Sequence, residues 1–140
     1  MIEPFRTEVT LRWSDGDLQG VVNNAVFLSV FEEARLAYFR ALDAMRGESF
    51  PFLLGSTALR FVRPGRAGSR VGVTARVTRL GGASFDMEYR VESTSGELLV
   101  TGTATLVWTD AGLRSEAIPA EIRRRVARRE GIPERSDRAT

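Results

Sequence analysis

Between Asn24 and Met45 the apolar residues Phe27, Val30, Phe31, Ala34, Tyr38, Leu42 and Met45 return every three or four positions, which is the period of one helical face. The spacing predicts a long amphipathic helix whose other face carries Glu32, Arg35 and Arg40. Asn23 or Asn24 suits the N-cap, and Gly47 suits the stop. Outside this segment the period shortens. Residues 5–13 are rich in β-formers and end where Ser14, Asp15 and Gly16 bring turn chemistry. After a Phe-Pro linker, residues 56–63, 69–80, 84–93 and 97–109 read as strands separated by PGRAG, GG and TSG. Such tight connections favour antiparallel neighbours. The order is therefore one strand, one long helix and a four-stranded meander, an α+β layer arrangement with the helix against one face of the sheet. No internal repeat divides residues 1–140, which are expected to form a single domain. The stretch 119–140 contains EIRRRVARRE and is expected to be a short solvated helix followed by a tail that frays.

Composition narrows the chemistry. A chain of 140 residues buries a core without staples. It has no cysteine, so disulfides, thiolate nucleophiles and zinc ribbons are excluded. It also has no histidine, which removes the commonest general base and the commonest metal ligand. The pI near 9.9 suggests a nucleic-acid partner, yet the net charge is only +2. All the basic residues are arginine, whose very high pKa lifts the pI with little excess charge at neutral pH. Arg123, Arg124, Arg125, Arg128 and Arg129 lack interleaved aromatics and are offset by Glu121 and Glu130. They read as a solvated face, not a nucleic-acid surface. No segment reaches the ~18 apolar residues of a membrane span, and MIEPFRTEV lacks the pattern of a leader. The expectation is a soluble, cytoplasmic protein.

The stretch WSDGDLQGVVNN sets two acids and two glycines just ahead of the helix. Asp15 and Asp17 fit a turn, and they equally fit a catalytic site. In its wider context, RWSDGDLQGVVNNAVFLSVFEEAR resembles the entrance of the hot-dog-fold acyl-CoA thioesterases, in particular the 4-hydroxybenzoyl-CoA thioesterase group, where a D-x-D-x-x-G-x-V stretch precedes the helix. The resemblance is sharpest from Arg12 to Arg35 and implies an antiparallel five-stranded sheet wrapped around one long central helix. It also implies that Asp17 acts as nucleophile or general base, and that a helix N-terminal N–H, that of Asn24, binds the thioester carbonyl oxygen. Sites in that family lie between subunits, which implies a homo-oligomer, a dimer or a tetramer. Relatives often carry histidine after the glycine or two positions beyond the valines, and tyrosine in place of Phe27. Val21, Asn24 and Phe27 depart from that pattern, which bears on substrate preference more than on reaction type.

The residues fit the implied reaction. A thioester has a good leaving group and an electrophilic carbonyl, so an oxyanion site and one carboxylate suffice without a metal or resident cofactor; coenzyme A enters as part of the substrate. Val22, Phe27 and Phe61 are candidates for the wall around the acyl group. Arg63, Arg66 and Arg70 bracket PGRAG and Arg79 precedes GGAS; they are candidates for the phosphates of coenzyme A, although each alone reads as a solvated charge. Asp15 reads as structural. Glu32 is either a second acid or half of an i,i+3 surface pair with Arg35. Ser56 and Thr57 either orient water or merely start a strand. Two rivals remain. A hot-dog dehydratase relies on a histidine that this chain lacks, and a non-catalytic acyl-CoA-binding protein is disfavoured if Asp17 is a buried carboxylate, since burial without use is costly.

Overall fold

The computed structural model describes residues 2–136. It contains β1 (Phe5–Thr10), α1 (Val26–Ala41), β2 (Phe52–Phe61), β3 (Arg70–Leu80), β4 (Ser84–Ser93), β5 (Leu98–Trp108) and α2 (Ala120–Glu130), with a 3-10 turn at Trp13–Asp15. The strands form one antiparallel sheet in the order β1-β3-β4-β5-β2. This is the hot-dog arrangement of the sequence reading. Alternate residues of β3 and β4, among them Val71, Val73, Ala75, Phe85, Met87 and Tyr89, are buried on the face that meets α1.

The helix contributes Phe27, Val30, Phe31, Ala34, Tyr38 and Phe39 to that core. Phe31 lies flat on Tyr89, with ring centroids 4.5 Å apart and planes inclined by 10°. Beside it, Gly102 of β5 leaves no room for a side chain, because a Cβ there would run into the Phe31 ring. The sequence reading placed Arg35 on the outer face, but its side chain is 7% exposed and points into the core. The reason is phase: residues 27, 31, 35 and 39 recur at i+4 and make one stripe.

Element ends differ from the expected ones for local reasons. α1 stops at Ala41 rather than near Met45, because Asp43 takes a left-handed conformation (φ 54°). Its N–H bonds the Arg40 carbonyl at 3.1 Å and the Ala44 N–H bonds the Phe39 carbonyl at 2.9 Å. Those two bonds make a Schellman cap with Asp43 where glycine is usual. At the other end the N-cap falls on Ala25, which makes no side-chain cap bond, and not on Asn23 or Asn24; Asn23 instead accepts the Ala25 N–H on its side-chain oxygen at 3.0 Å, an Asx turn ahead of the helix, and 3-10 bonds lead into the helix proper. β2 starts at Phe52, four residues before the expected strand, and absorbs Gly55 in a register shift against β5. β1 stops at Thr10, since the chain then turns at Trp13–Asp15.

The C-terminal segment is not merely solvated. Val126 and Ala127 are buried. Arg123 donates to the carbonyls of Gly81 and Gly82 at 2.8 and 2.9 Å, and Arg125 to that of Asp43 at 2.7 Å. Glu130 accepts the Tyr38 hydroxyl at 2.7 Å and the Val77 N–H, beside the β3 register shift, at 2.8 Å. Ser136 donates its N–H to Leu80 O at 2.7 Å, so residues 131–136 are tied down rather than frayed; 137–140 lie outside the described residues.

The chain's two tyrosines are both buried. Burial, reinforced by the Glu130 hydrogen bond, raises the pKa of Tyr38. Burial likewise pushes Tyr89 up to about 12, against the opposing charge of Arg35. An unfolded tyrosine ionises near pH 10. The stability tied to these hydroxyls is thus complete below about pH 10 and is lost as pH climbs toward 12. Absorbance at 295 nm is expected to show no tyrosinate at pH 10.5 while circular dichroism still reports folded protein. A tyrosinate midpoint near pH 10 in the folded state would contradict the packing.

Candidate functional site

Residues 11–24 fold back on themselves ahead of α1. Leu11 prolongs the β1–β3 pairing through bonds with Ser69 and Gly68. Arg12 and Asp15 then close the 3-10 turn: the Arg12 N–H donates to Asp15 Oδ2 at 2.9 Å, and its guanidinium to Oδ1 at 2.9 Å. Those bonds hold the Asp15 carboxyl below its usual pKa. Asp15 is therefore fully used in building the loop, the structural role expected for it. Its carbonyl also accepts the Asn23 N–H at 3.0 Å, which ties the two arms of the loop together.

Asp17 sits at the tip. Its N–H donates to Val21 O at 2.8 Å, and Gly20, at φ 77°, returns its N–H to Asp17 O at 3.0 Å. Asp17 Oδ1 accepts two backbone N–H groups, from Gln19 at 2.8 Å and Val21 at 3.1 Å. Oδ2 has no protein donor among the described residues. The turn therefore fixes the carboxylate by one oxygen and leaves the other without a bond among the described residues. Both expected readings of Asp17, as turn residue and as reactive anion, are compatible with this geometry.

At the base of the same loop the Asn24 N–H meets no acceptor among the described residues, whereas the next amides, from Ala25 to Leu28, are all bonded. An unpaired N–H at the positive end of a helix attracts a partial negative charge. The PGRAG turn packs directly on this loop. Val22 N–H donates to Gly65 O at 2.8 Å, Ala67 N–H to Gly20 O at 3.0 Å, and Val21 pairs with Arg66. The approach requires glycine: a Cβ on Gly65 would lie 2.9 Å from the Phe27 ring, and one on Gly16 2.6 Å from Ala67.

The other candidate residues fall into distinct places. Val22 and Phe27 are 2% and 1% exposed, so within a protomer they support the loop from beneath rather than line a surface. Phe61, 6.2 Å from Phe27 between ring centroids, is 44% exposed. Arg66 stands beside the loop with no side-chain partner among the described residues. Arg63 and Arg70 make loose, exposed ion pairs with Glu97 and Glu8 at 3.5 and 3.6 Å. Arg79 lies at the far end of β3, about 30 Å along the strand from Arg70, where Asp86 at 2.7 Å and Ser84 at 3.0 Å engage it. It is not brought to this loop within the protomer. Thr57 donates to Thr103 O at 2.8 Å within the sheet, and Ser56 sits beside the β2 register shift; neither is beside Asp17. Glu32 is exposed and forms no ion pair with Arg35.

Two features escaped the sequence reading. Trp13, 80% exposed, and Leu18, fully exposed, flank Asp17 in the chain, and an apolar residue at the tip of an Asp-Gly turn was the available signal. A cavity of about 830 Å³ lies elsewhere: Thr74, Arg76, Glu88, Arg90, Thr101 and Thr103 line it, and no residue of the Asp17 loop does. These side chains alternate with the buried ones and so face away from α1. The half-bonded carboxylate and the unpaired N–H lie on the Asp17 loop; the cavity presents a mixed-charge sheet face. Among the described residues no helix is long and apolar enough to cross a membrane.

Comparison with known proteins agrees with the geometry. The family model of the thioesterase-like superfamily matches residues 11–126. A thioesterase from Thermus thermophilus, solved with coenzyme A and zinc, is 38% identical, with a TM-score of 0.81 over 91% of this chain and 95% of that one. A hypothetical protein, also from Thermus thermophilus, is 28% identical, with a TM-score of 0.79 over 89% and 98% of the two chains. The acyl-CoA thioester hydrolase YbgC of Escherichia coli is 24% identical over 84% of this chain and 92% of its own.

Proposed function

Since the chain belongs to the thioesterase-like superfamily, we propose that it hydrolyses an acyl-CoA thioester to the free acid and coenzyme A at the Asp17 loop. The observation that carries this reading is the pairing, on one loop, of a half-used carboxylate with an unpaired helix N-terminal N–H. In the proposed reaction the Asn24 N–H holds the thioester oxygen as it becomes an oxyanion. One such donor is worth ~2.7–4 kcal/mol in the transition state. Asp17 Oδ2 then acts in one of two ways. As nucleophile it bonds the carbonyl carbon and expels the coenzyme A thiolate, and water hydrolyses the resulting anhydride. As general base it takes a proton from the water that attacks instead. Coenzyme A belongs to the substrate, and the reaction as proposed uses no metal or resident cofactor. In the proposed complex Arg66, with Arg63 and Arg70 nearby in sequence, meets its phosphates; the absence of a side-chain partner for Arg66 among the described residues supports this.

The rival is an acyl-CoA-binding protein without turnover. Asp17 is exposed in the protomer, so the cost of burying a carboxylate does not argue against that rival. The free carboxylate oxygen and the unpaired N–H do, since simple binding has use for only the second. Appearance of free acid and coenzyme A in equal amounts, identified by mass, supports hydrolysis; recovery of intact acyl-CoA from the protein supports binding.

We also propose that the protein is a homo-oligomer assembled through β2. That strand is at the sheet edge and exposes Leu53, Leu54 and, at its end, Phe61 and Val62. A long apolar edge invites another strand. Sedimentation is expected to give a dimer or tetramer at micromolar concentration. A monomer under those conditions contradicts this assembly.

A further inference from the structure

Arg35 is a buried cation without an anion. Its side chain is 7% exposed, and its one hydrogen bond runs from Nη1 to the Tyr89 hydroxyl at 3.0 Å. Nε has no acceptor, and no carboxylate lies within ion-pair distance among the described residues. The guanidinium also lies 5.8 Å from the Tyr89 ring centroid. Arginine does not shed its proton to escape such a site, and an unmatched buried charge is costly. The arrangement leaves N–H donors ready for an anion that the protomer itself does not supply.

The surroundings indicate where that anion enters. Phe61, Leu59, Thr57 and Leu54 pair with Val100, Gly102, Ala104 and Leu106, so they belong to the inner face of the sheet. Phe61 and Leu54 are nevertheless 44% and 46% exposed, because α1 does not reach over β2. Across from them, the flank of α1 presents Leu28, which is 43% exposed, then Glu32 at i+4, with Arg35 at i+7 turned inward from that flank to the Tyr89 hydroxyl. The strip between helix and strand is pinned by Phe27 against Phe61 at 6.2 Å and by Phe39 against Phe52 at 4.9 Å. Arg35 lies between these pins. It is eleven positions, about 16 Å, along the helix from Asn24, and its side chain leans back toward the helix start.

We infer that this strip receives the acyl chain and that Arg35 reads a carboxylate at its far end, so that the preferred substrates are ω-carboxyacyl thioesters of medium length. The inference rests on the thioesterase reading and adds a specificity residue to it. The apolar side chains Phe61, Leu28 and Leu59 take the methylenes. The planar fork of Arg35 matches a carboxylate in a partly dry site, and the Tyr89 hydroxyl holds the fork in place.

The test compares suberyl-CoA with octanoyl-CoA, and sebacyl-CoA with decanoyl-CoA, by kcat/KM in the wild-type protein and in Arg35→Met and Arg35→Lys. The wild type is expected to favour the carboxylated member of each pair. Arg35→Met is expected to lower that ratio by about 10- to 100-fold, the scale of one charged hydrogen-bonded contact, and Arg35→Lys to keep part of it. A structural role alone lowers both members together and leaves the ratio unmoved. Melting temperatures establish that each variant is folded, and the wild-type ratio decides the matter if Arg35→Met does not fold. Equal or better hydrolysis of the aliphatic members by the wild type overturns the assignment while leaving the thioesterase reading intact. So does an unchanged ratio in Arg35→Met accompanied by loss of the oligomer, which would place a carboxylate of a second copy on Arg35. Failure to hydrolyse any thioester instead removes the reading on which the inference rests.

Discussion

Replacing Asp17 with Asn is expected to reduce acyl-CoA turnover by ~100-fold or more, the lower end of what a positioned general base contributes. The substitution keeps a carbonyl oxygen in the place of Oδ1, so the bonds from the Gln19 and Val21 N–H groups are retained. What is removed is the anion at the free oxygen. Substrate binding is expected to survive, because the Asn24 N–H and Arg66 are untouched. Asp15→Asn is the contrasting variant. It weakens the paired contacts with Arg12 that close the 3-10 turn, so a lower melting temperature is expected with turnover retained within a few-fold. Because the folded-state pKa of Asp15 is depressed, the stability it gives is present above the ordinary carboxylate pKa and disappears as pH falls through the lowered value. Near-normal turnover in Asp17→Asn together with inactivity in Asp15→Asn would assign the chemistry to the other aspartate.

The largest effect on stability is expected from Phe31→Ala. Phe31 is 1% exposed, stacks on Tyr89 at 4.5 Å and fills the space above Gly102. Truncation removes the transfer energy of the ring and leaves a cavity against a β5 residue that has no side chain to collapse into it. A loss of ~3–5 kcal/mol is expected, which for a domain of this size lowers the melting temperature by roughly 10 °C or more. The same cavity removes the ring that flanks Tyr89, the hydrogen-bond partner of Arg35. Retention of the wild-type melting temperature would mean that α1 does not rest on the sheet at this point.

These two residues illustrate unequal legibility. Phe31 belongs to a periodic apolar pattern, and its burial against the sheet follows from that pattern. The order of elements was equally readable, because glycine-containing turns separate the strands of the meander. Asp17 and Asn24 became candidates only through the motif around them: a DGD triplet is ordinary turn chemistry, and the loop does use Asp17 as a turn residue. Arg35 was misread because charge outweighed phase. A stripe at residues 27, 31, 35 and 39 is geometrically continuous, but an arginine within it looks like the edge of the polar face. The arginines of α2 were misread for a related reason. Their targets are carbonyls of Gly81, Gly82 and Asp43, far away in sequence, and no local pattern announces a long-range backbone acceptor. The early start of β2 was hidden by Pro51 and by Gly55, since a strand that absorbs a glycine in a register shift loses its period of two.

The Asp17 loop is proposed to turn over a thioester rather than only to hold it. The measurement that addresses it most directly is continuous detection of free thiol from a panel of acyl-CoAs, aliphatic, aromatic and ω-carboxylated, with substrate in large excess over purified protein. Steady release of many equivalents of coenzyme A per protomer from at least one acyl-CoA is the predicted result. Tight binding of an acyl-CoA, with no thiol released from any member of the panel, would contradict it.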